Sequence, residues 1–156
     1  SGPADAPPQA KLRPAKDALQ RILWDPNLDP SDFIVGFVDR FSESFSEVRC
    51  DAPNTSIKGP SRLFVLALPE HRIAYIKYRR RIVWHRAEKI DRLFASGVAG
   101  PDGARQRIDE VMGTYGAWLA EERRQAALAR QLAALEKEKE EEERVESGAE
   151  EQKEGA

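Results

Sequence analysis

Between Leu68 and Arg86 the chain reads LPEHRIAYIKYRRRIVWHR, which sets His71, His85, Tyr75, Tyr78 and Trp84 among six Lys/Arg side chains. Rings interleaved with cations suit single-stranded nucleic acid, because bases stack on exposed aromatic faces while the cations meet phosphates. Arginine suits a terminal phosphate best, since its planar fork donates two parallel hydrogen bonds to two oxygens. The bland alternative is that Tyr75, Tyr78 and Trp84 are simply what a half-buried sheet prefers. Two histidines and a lysine can also cleave or open a phosphodiester by acid and base catalysis. The two-histidine cyclic phosphodiesterases, however, repeat a His-x-Thr/Ser motif, and the triplets here are HRI and HRA. The expectation is therefore a binding protein and not an enzyme, with no catalytic residue assigned; a ribonuclease-like pair of His71 and His85 stays open as the lesser alternative.

To position these groups the stretch must fold as a hairpin of two strands. Alternation would place Ile73, Tyr75, Lys77 and Arg79 on one face and Arg72, Ala74, Ile76 and Tyr78 on the other. In the return arm, Arg81, Val83 and His85 alternate with Ile82, Trp84 and Arg86. Neither arm has a wholly apolar face, so some basic and aromatic groups must reach solvent or a ligand. Arg79 and Arg80 form the turn, where cations would steer a nucleic acid by charge alone.

The preceding segments supply the rest of a small domain. Pro14 to Asp25 carries Ala18, Leu19, Ile22 and Leu23 on a helical stripe, bounded by Pro14 and Pro26. Asp32 to Phe41 is apolar on both faces, the pattern of a central covered strand, and Gly36 marks close approach by a backbone or ligand. Asp39 and Arg40 stand at its end, where functional groups emerge, unless they only pair with each other. Phe45 to Cys50 is a weaker strand, Arg62 to Leu68 a strong strand candidate, and Ala87 to Ser96 a closing helix. The fold class expected is α+β: a small, mainly antiparallel sheet of four or five strands with flanking helices and a long C-terminal helical extension.

The boundaries follow composition. Residues 1–10 form a disordered lead-in, 11–95 the domain, 96–103 a Gly/Pro linker, 104–145 an amphipathic helical extension and 146–156 a disordered acidic tail. The net charge of −2 hides a segregation: Lys11 to Phe94 holds 16 Lys/Arg against 11 Asp/Glu, and the remainder nine against 16. Gly113 and Gly116 favour a bend or break in the extension. Its apolar stripe, Ile108 to Leu119, packs on the domain or meets a partner, so residues 104–135 are a second candidate interface. One cysteine and two histidines cannot make a Cys-rich zinc site or an internal disulfide. No metal or cofactor is implied. No apolar run approaches a membrane span, and the expected setting is intracellular, cytoplasmic or nuclear.

The blocks KLRPAKDALQRILWDP, DFIVGFVDRF, LPEHRIAYIKYRRRIVWHR and RAEKIDRLF, in this order over about Lys11 to Phe94, resemble the RNA cyclic group end recognition domain family. The resemblance implies a compact α+β domain that recognises RNA ends carrying a 2′,3′-cyclic phosphate in RNA processing or repair. It carries to Asp39 and Arg40 at the strand end, and to His71, Arg72, Tyr75, Lys77, Tyr78 and Trp84 in the hairpin. Arg79, Arg80 and His85 join this RNA-binding set as departures. The family usually has a Lys-Gly type turn where Arg79 and Arg80 stand, and often an acidic residue where His85 stands. Arg72, Lys77 and Arg40 would hold phosphate; Tyr75, Tyr78 or Trp84 would stack the terminal base.

Overall fold

The computed structural model describes residues 11–98 and 107–154. Helix α1 (Ala15–Trp24) buries Ala18, Leu19 and Ile22 of the stripe read from the sequence, with Ala15 in addition, and leaves Leu23 half-buried. Beneath it lies a five-stranded antiparallel sheet, ordered β2-β1-β3-β4-β5, from Phe33–Val38 (β1), Phe45–Arg49 (β2), Ile73–Tyr78 (β3), Arg81–His85 (β4) and Ile90–Asp91 (β5). The core side of the sheet carries Phe33, Val35 and Phe37 from β1 beside Tyr78, Ile76 and Ile73 from β3. Burying side chains of this size contributes about 1.5–3 kcal/mol each, and Trp84, fully buried, also donates its indole N–H to the Arg13 carbonyl at 3.0 Å.

Two β-bulges correct the expected alternation. Gly36 pairs with Tyr75 while Phe37 pairs with Ile73, which leaves Ala74 as an extra residue. Ile73 is thereby turned to the core, away from the face it was expected to share with Tyr75 and Lys77. In β4, Trp84 pairs with Ile76 and Ile82 with Lys77, so Val83 is the extra residue. Arg81 and Trp84 then share the core side, and Ile82 and His85 share the open side.

Two elements differ in kind from expectation. Arg62 to Leu68 is not a strand; it contains a short helix, α2 (Phe64–Ala67), which with Leu68 buries Val65 and Leu68 three residues apart. A short apolar run fits either state by pattern alone, and here the one-turn spacing decides it. The expected helix from Ala87 to Ser96 is instead a turn, β5 and a loop. The Asp91 carboxylate fixes that loop by accepting the N–H groups of Leu93 (2.9 Å) and Phe94 (3.0 Å) and the Ser96 hydroxyl (2.5 Å). A side chain that satisfies local N–H groups in this way competes with helix.

The lead-in and most of the expected linker lie outside the described residues, although Gly97 bridges to Ile90 within the domain. Helix α3 (Ile108–Gly113) buries Ile108 and Val111, and the extension breaks at Thr114, beside Gly113. Helix α4 (Tyr115–Glu154) belongs to a separate compact unit. It runs through the stretch expected to be disordered, because Glu, Lys, Ala and Gln are strong helix formers and only Ser147 and Gly148 interrupt them there. Leu128, Leu132 and Leu135 on α4 are exposed. No helix of the described residues is long and apolar enough to cross a membrane.

Candidate functional site

The site is built from two turns. The first joins β1 to β2: the Asp39 N–H donates to the Ser44 carbonyl, and its carboxylate accepts the Phe41 N–H, each at 3.1 Å. Glu43 completes this turn in the left-handed region, at φ 53°. The arrangement holds the turn while leaving the side chains of Arg40, Phe41 and Glu43 exposed.

The second turn is the 3-10 segment Glu70–Arg72, which precedes β3. Helix α1 begins after Pro14 with no side-chain cap of its own. Glu70 supplies one from far along the chain, accepting the N–H groups of Ala15 and Lys16 at 2.9 Å each and pairing with the Arg86 guanidinium at 2.5 Å. Burial alone would raise the Glu70 carboxyl, but the Lys16 N–H, Arg86 and the Ala15 N–H together hold it below the usual carboxylate range. The segment carrying His71 and Arg72 is thus tied to both α1 and β4.

Between these turns lies a cleft of about 480 Å³ lined by Val38, Asp39, Arg40, Glu43, His71 and Arg72, with Pro69 at its side. Arg72 donates Nε–H to the Val38 carbonyl at 3.0 Å, which fixes the guanidinium at the cleft wall. Its terminal nitrogens have no hydrogen-bond or ionic partner among the described residues, and neither Arg40 nor His71 has one. A prearranged guanidinium with donors to spare is chemically suited to an oxyanion.

The open side of the sheet adjoins this cleft, because Phe45 pairs with Val38. Tyr75 lies across Gly36 so closely that a Cβ at Gly36 would stand 2.1 Å from its ring. The close approach read from Gly36 is therefore made by a side chain of the same domain. The phenol donates to Glu47 at 2.5 Å, and Lys77 donates to the same carboxylate oxygen at 2.7 Å. Burial and then the Glu47 hydrogen bond push the Tyr75 phenol up to about 12. The hydrogen bonds from Lys77 and Tyr75 lower Glu47 in turn. The His85 ring is nearly parallel to that of Tyr75, at 11° and 6.3 Å between centroids, while Phe45 is tilted against it at 6.1 Å.

The expected site residues therefore separate. Asp39, Arg40, His71 and Arg72 meet at the cleft; Tyr75, Lys77 and His85 share the open side, with His85 Nδ1 accepting the Glu88 N–H at 3.1 Å. Arg79 and Arg80 form the turn at the other end of β3. Tyr78 and Trp84 are 5% and 0% exposed, so neither offers a base a face to stack on. Five residues were missed, Glu43 of the cleft lining among them. Glu70 and Glu47 gave no local signal, since their partners are remote in sequence. Phe41 and Phe45, 92% and 63% exposed, did give one, as aromatic residues in an otherwise polar RFSESFSE turn.

The fold is that of a small α+β domain, an antiparallel sheet with an open aromatic side and an arginine-lined cleft at its edge. Residues 12–86 match the model of the MJ1316 RNA cyclic group end recognition domain family. The match runs from before α1 through β4 and includes both turns of the cleft. No solved structure matches the chain.

Proposed function

We propose that the domain is a noncatalytic reader of RNA termini that holds a 2′,3′-cyclic phosphate in the cleft. The observation that carries this reading is Arg72: the Val38 carbonyl takes its Nε–H, leaving the terminal nitrogens for an anion beside Arg40 and His71. A charge-assisted pair of this kind is about twice as strong as a neutral hydrogen bond. Tyr75, with His85 and Phe45 beside it, would stack the terminal or penultimate base, worth roughly 1–3 kcal/mol. Lys77 adds positive field but is already engaged by Glu47, so its role is secondary to those of Arg72 and Arg40. The family match supports the RNA-end reading at the level of its name, and processing or repair is where such ends arise.

The test is titration of the protein with one short labelled RNA bearing a 2′,3′-cyclic phosphate, a 3′-phosphate or a 3′-hydroxyl, with the RNA checked for cleavage afterwards. The cyclic end should bind best and remain intact, and Arg72→Ala should weaken it by about 10- to 100-fold, the cost of one charged hydrogen-bonding partner. Equal binding of all three ends would reduce the domain to a general RNA binder. Altered RNA would bring forward His71, the histidine at the cleft, as an acid or base.

A second reading concerns α4, where Leu128, Leu132 and Leu135 are 54–61% exposed at four- and three-residue spacing. This stripe favours a protein partner for the extension. Partner binding through it would be nearly insensitive to salt, whereas RNA binding falls by about 0.7 log units per phosphate neutralised per log unit of salt.

A further inference from the structure

A cleft made only of cations would choose the wrong RNA end. A terminal phosphate monoester carries about −1.5 to −2 charge at pH 7, whereas a 2′,3′-cyclic phosphodiester carries a single negative charge and has no proton that titrates near neutrality. Coulomb attraction to Arg40 and Arg72 therefore favours the monoester. Selection of a cyclic end requires an element that acts against the second charge, which is how specificity by repulsion works.

The cleft contains such an element. Asp39 and Glu43 line it together with Arg40, His71 and Arg72, so its two arginines are matched by two carboxylates. Asp39 is engaged by the Phe41 N–H. Glu43 makes no hydrogen bond or ion pair with any described residue, and its backbone is fixed in the left-handed region of the closed β1–β2 turn. An exposed carboxylate that does no structural work at the wall of an anion cleft has its largest effect on the charge of what enters.

We propose that Glu43 is a specificity-determining residue of the end site, whose carboxylate repels the second negative charge of a terminal monophosphate and so favours singly charged cyclic ends. This rests on the RNA-end reading and adds the basis of its selectivity. Glu43 selects by charge; ring shape contributes less.

The experiment uses the full chain and the labelled RNA with four ends: cyclic phosphate, 3′-phosphate, the 3′-phosphate methyl ester and 3′-hydroxyl. The methyl ester is singly charged but not cyclic, so it separates charge from shape. Glu43→Gln should tighten the 3′-phosphate by about three- to tenfold, the scale of one unit-charge interaction across a partly solvated cleft. The cyclic and methyl-ester ends, with about half the charge, should tighten by only about two- to threefold. Asp39→Asn, which keeps an oxygen for the Phe41 N–H, should add to the effect. In the unsubstituted protein the methyl ester should bind nearer to the cyclic end than to the monoester.

An unchanged ratio in Glu43→Gln, or equal tightening of every end including the hydroxyl, would overturn the assignment. So would rejection of the methyl ester alongside the monoester, which would make ring shape the selector. In each of these cases the unsubstituted protein still prefers the cyclic end. Absence of that preference would instead refute the RNA-end reading itself, and the role of Glu43 with it.

Discussion

Arg72 and Arg79 stand at opposite ends of β3, and both were candidates for phosphate on residue type alone. At the near end, Arg72 gives its Nε–H to a backbone carbonyl, lies with its guanidinium 6.0 Å from the Phe37 ring, and lines a concave cleft with Arg40 and His71. At the far end, the Arg79 N–H donates to the Asp32 carbonyl at 2.7 Å, its Nε pairs with the Asp32 carboxylate at 3.4 Å, and its guanidinium lies 5.2 Å from the Tyr78 ring. The first is held with donors to spare beside a cavity, while the second helps close a turn. Positive charge in a sequence identifies neither case; what separates them is where the fold places the backbone carbonyls and carboxylates around each guanidinium.

The near end depends on Glu70, so removing that carboxylate is the largest available disruption of the contrast. Glu70→Ala takes the acceptor from two N–H groups at the start of α1 and leaves Arg86 without its carboxylate. Two lost hydrogen bonds at the helix start and the loss of the ion pair to a guanidinium that keeps the Ile73 and Glu70 carbonyls should cost about 2–4 kcal/mol, read by chemical denaturation. The pH dependence gives a second measure. Because folding lowers the Glu70 carboxyl, its contribution is present above the unfolded value, about 4.3, and is lost as pH falls through the lower folded value. Glu70→Ala should flatten that part of the acid limb. If stability and cyclic-end affinity both survived, the 3-10 segment would not be held as described.

How far this arrangement was legible in the sequence follows from which interactions are local. The α1 stripe, the strand over Phe33–Val38 and the Asp39–Arg40 emergence point are read within one element, and all lie where expected. The faces of the hairpin were misassigned because a bulge inserts one residue and reverses the alternation, and nothing in RIAYIKY or RIVWHR marks Ala74 or Val83 as that residue. The helix–strand exchanges at Phe64–Ala67 and Ile90–Asp91 arise from short apolar runs that tertiary packing and the Asp91 carboxylate decide. Glu70 and Glu47 were invisible for another reason: each becomes important only through partners brought near by the sheet or by α1.

Between the two arginines lies the Tyr75 platform, and Gly36→Ala tests it with an intermediate effect. The new Cβ would fall 2.1–2.4 Å from three ring atoms, so the ring must lift and release Glu47. Stability should fall by about 1 kcal/mol or less, because an exposed ring edge can move, but RNA affinity should fall by about fivefold or more if a base stacks there. The Tyr75 phenol, raised by burial and by Glu47 to about 12, should titrate closer to the ordinary value near 10, as followed by ultraviolet absorbance. An unchanged titration with intact binding would show that the platform tolerates a side chain at position 36.

The smallest effect is expected at Arg79, and its substitution should be chosen to suit the backbone. Arg79 occupies the left-handed region at φ 53°, a conformation that costs an ordinary residue about 1–2 kcal/mol and glycine almost nothing. Arg79→Gly therefore removes the side chain while relieving the turn, and that gain should offset the loss of a half-exposed ion pair worth about 0–1 kcal/mol. Stability should stay within about 1 kcal/mol of the original for these reasons. At moderate salt, the cyclic-end affinity should fall by less than about threefold, since Asp32 already balances this charge and a peripheral cation acts mainly through long-range steering. The ratio between cyclic and 3′-phosphate ends should not move, because nothing at the turn senses the terminal group. A loss as large as that of Arg72→Ala, on a turn relieved of strain, would mean that bound RNA displaces Asp32 and extends the full length of β3, and the distinction between the two arginines would then be one of ligand length instead of role.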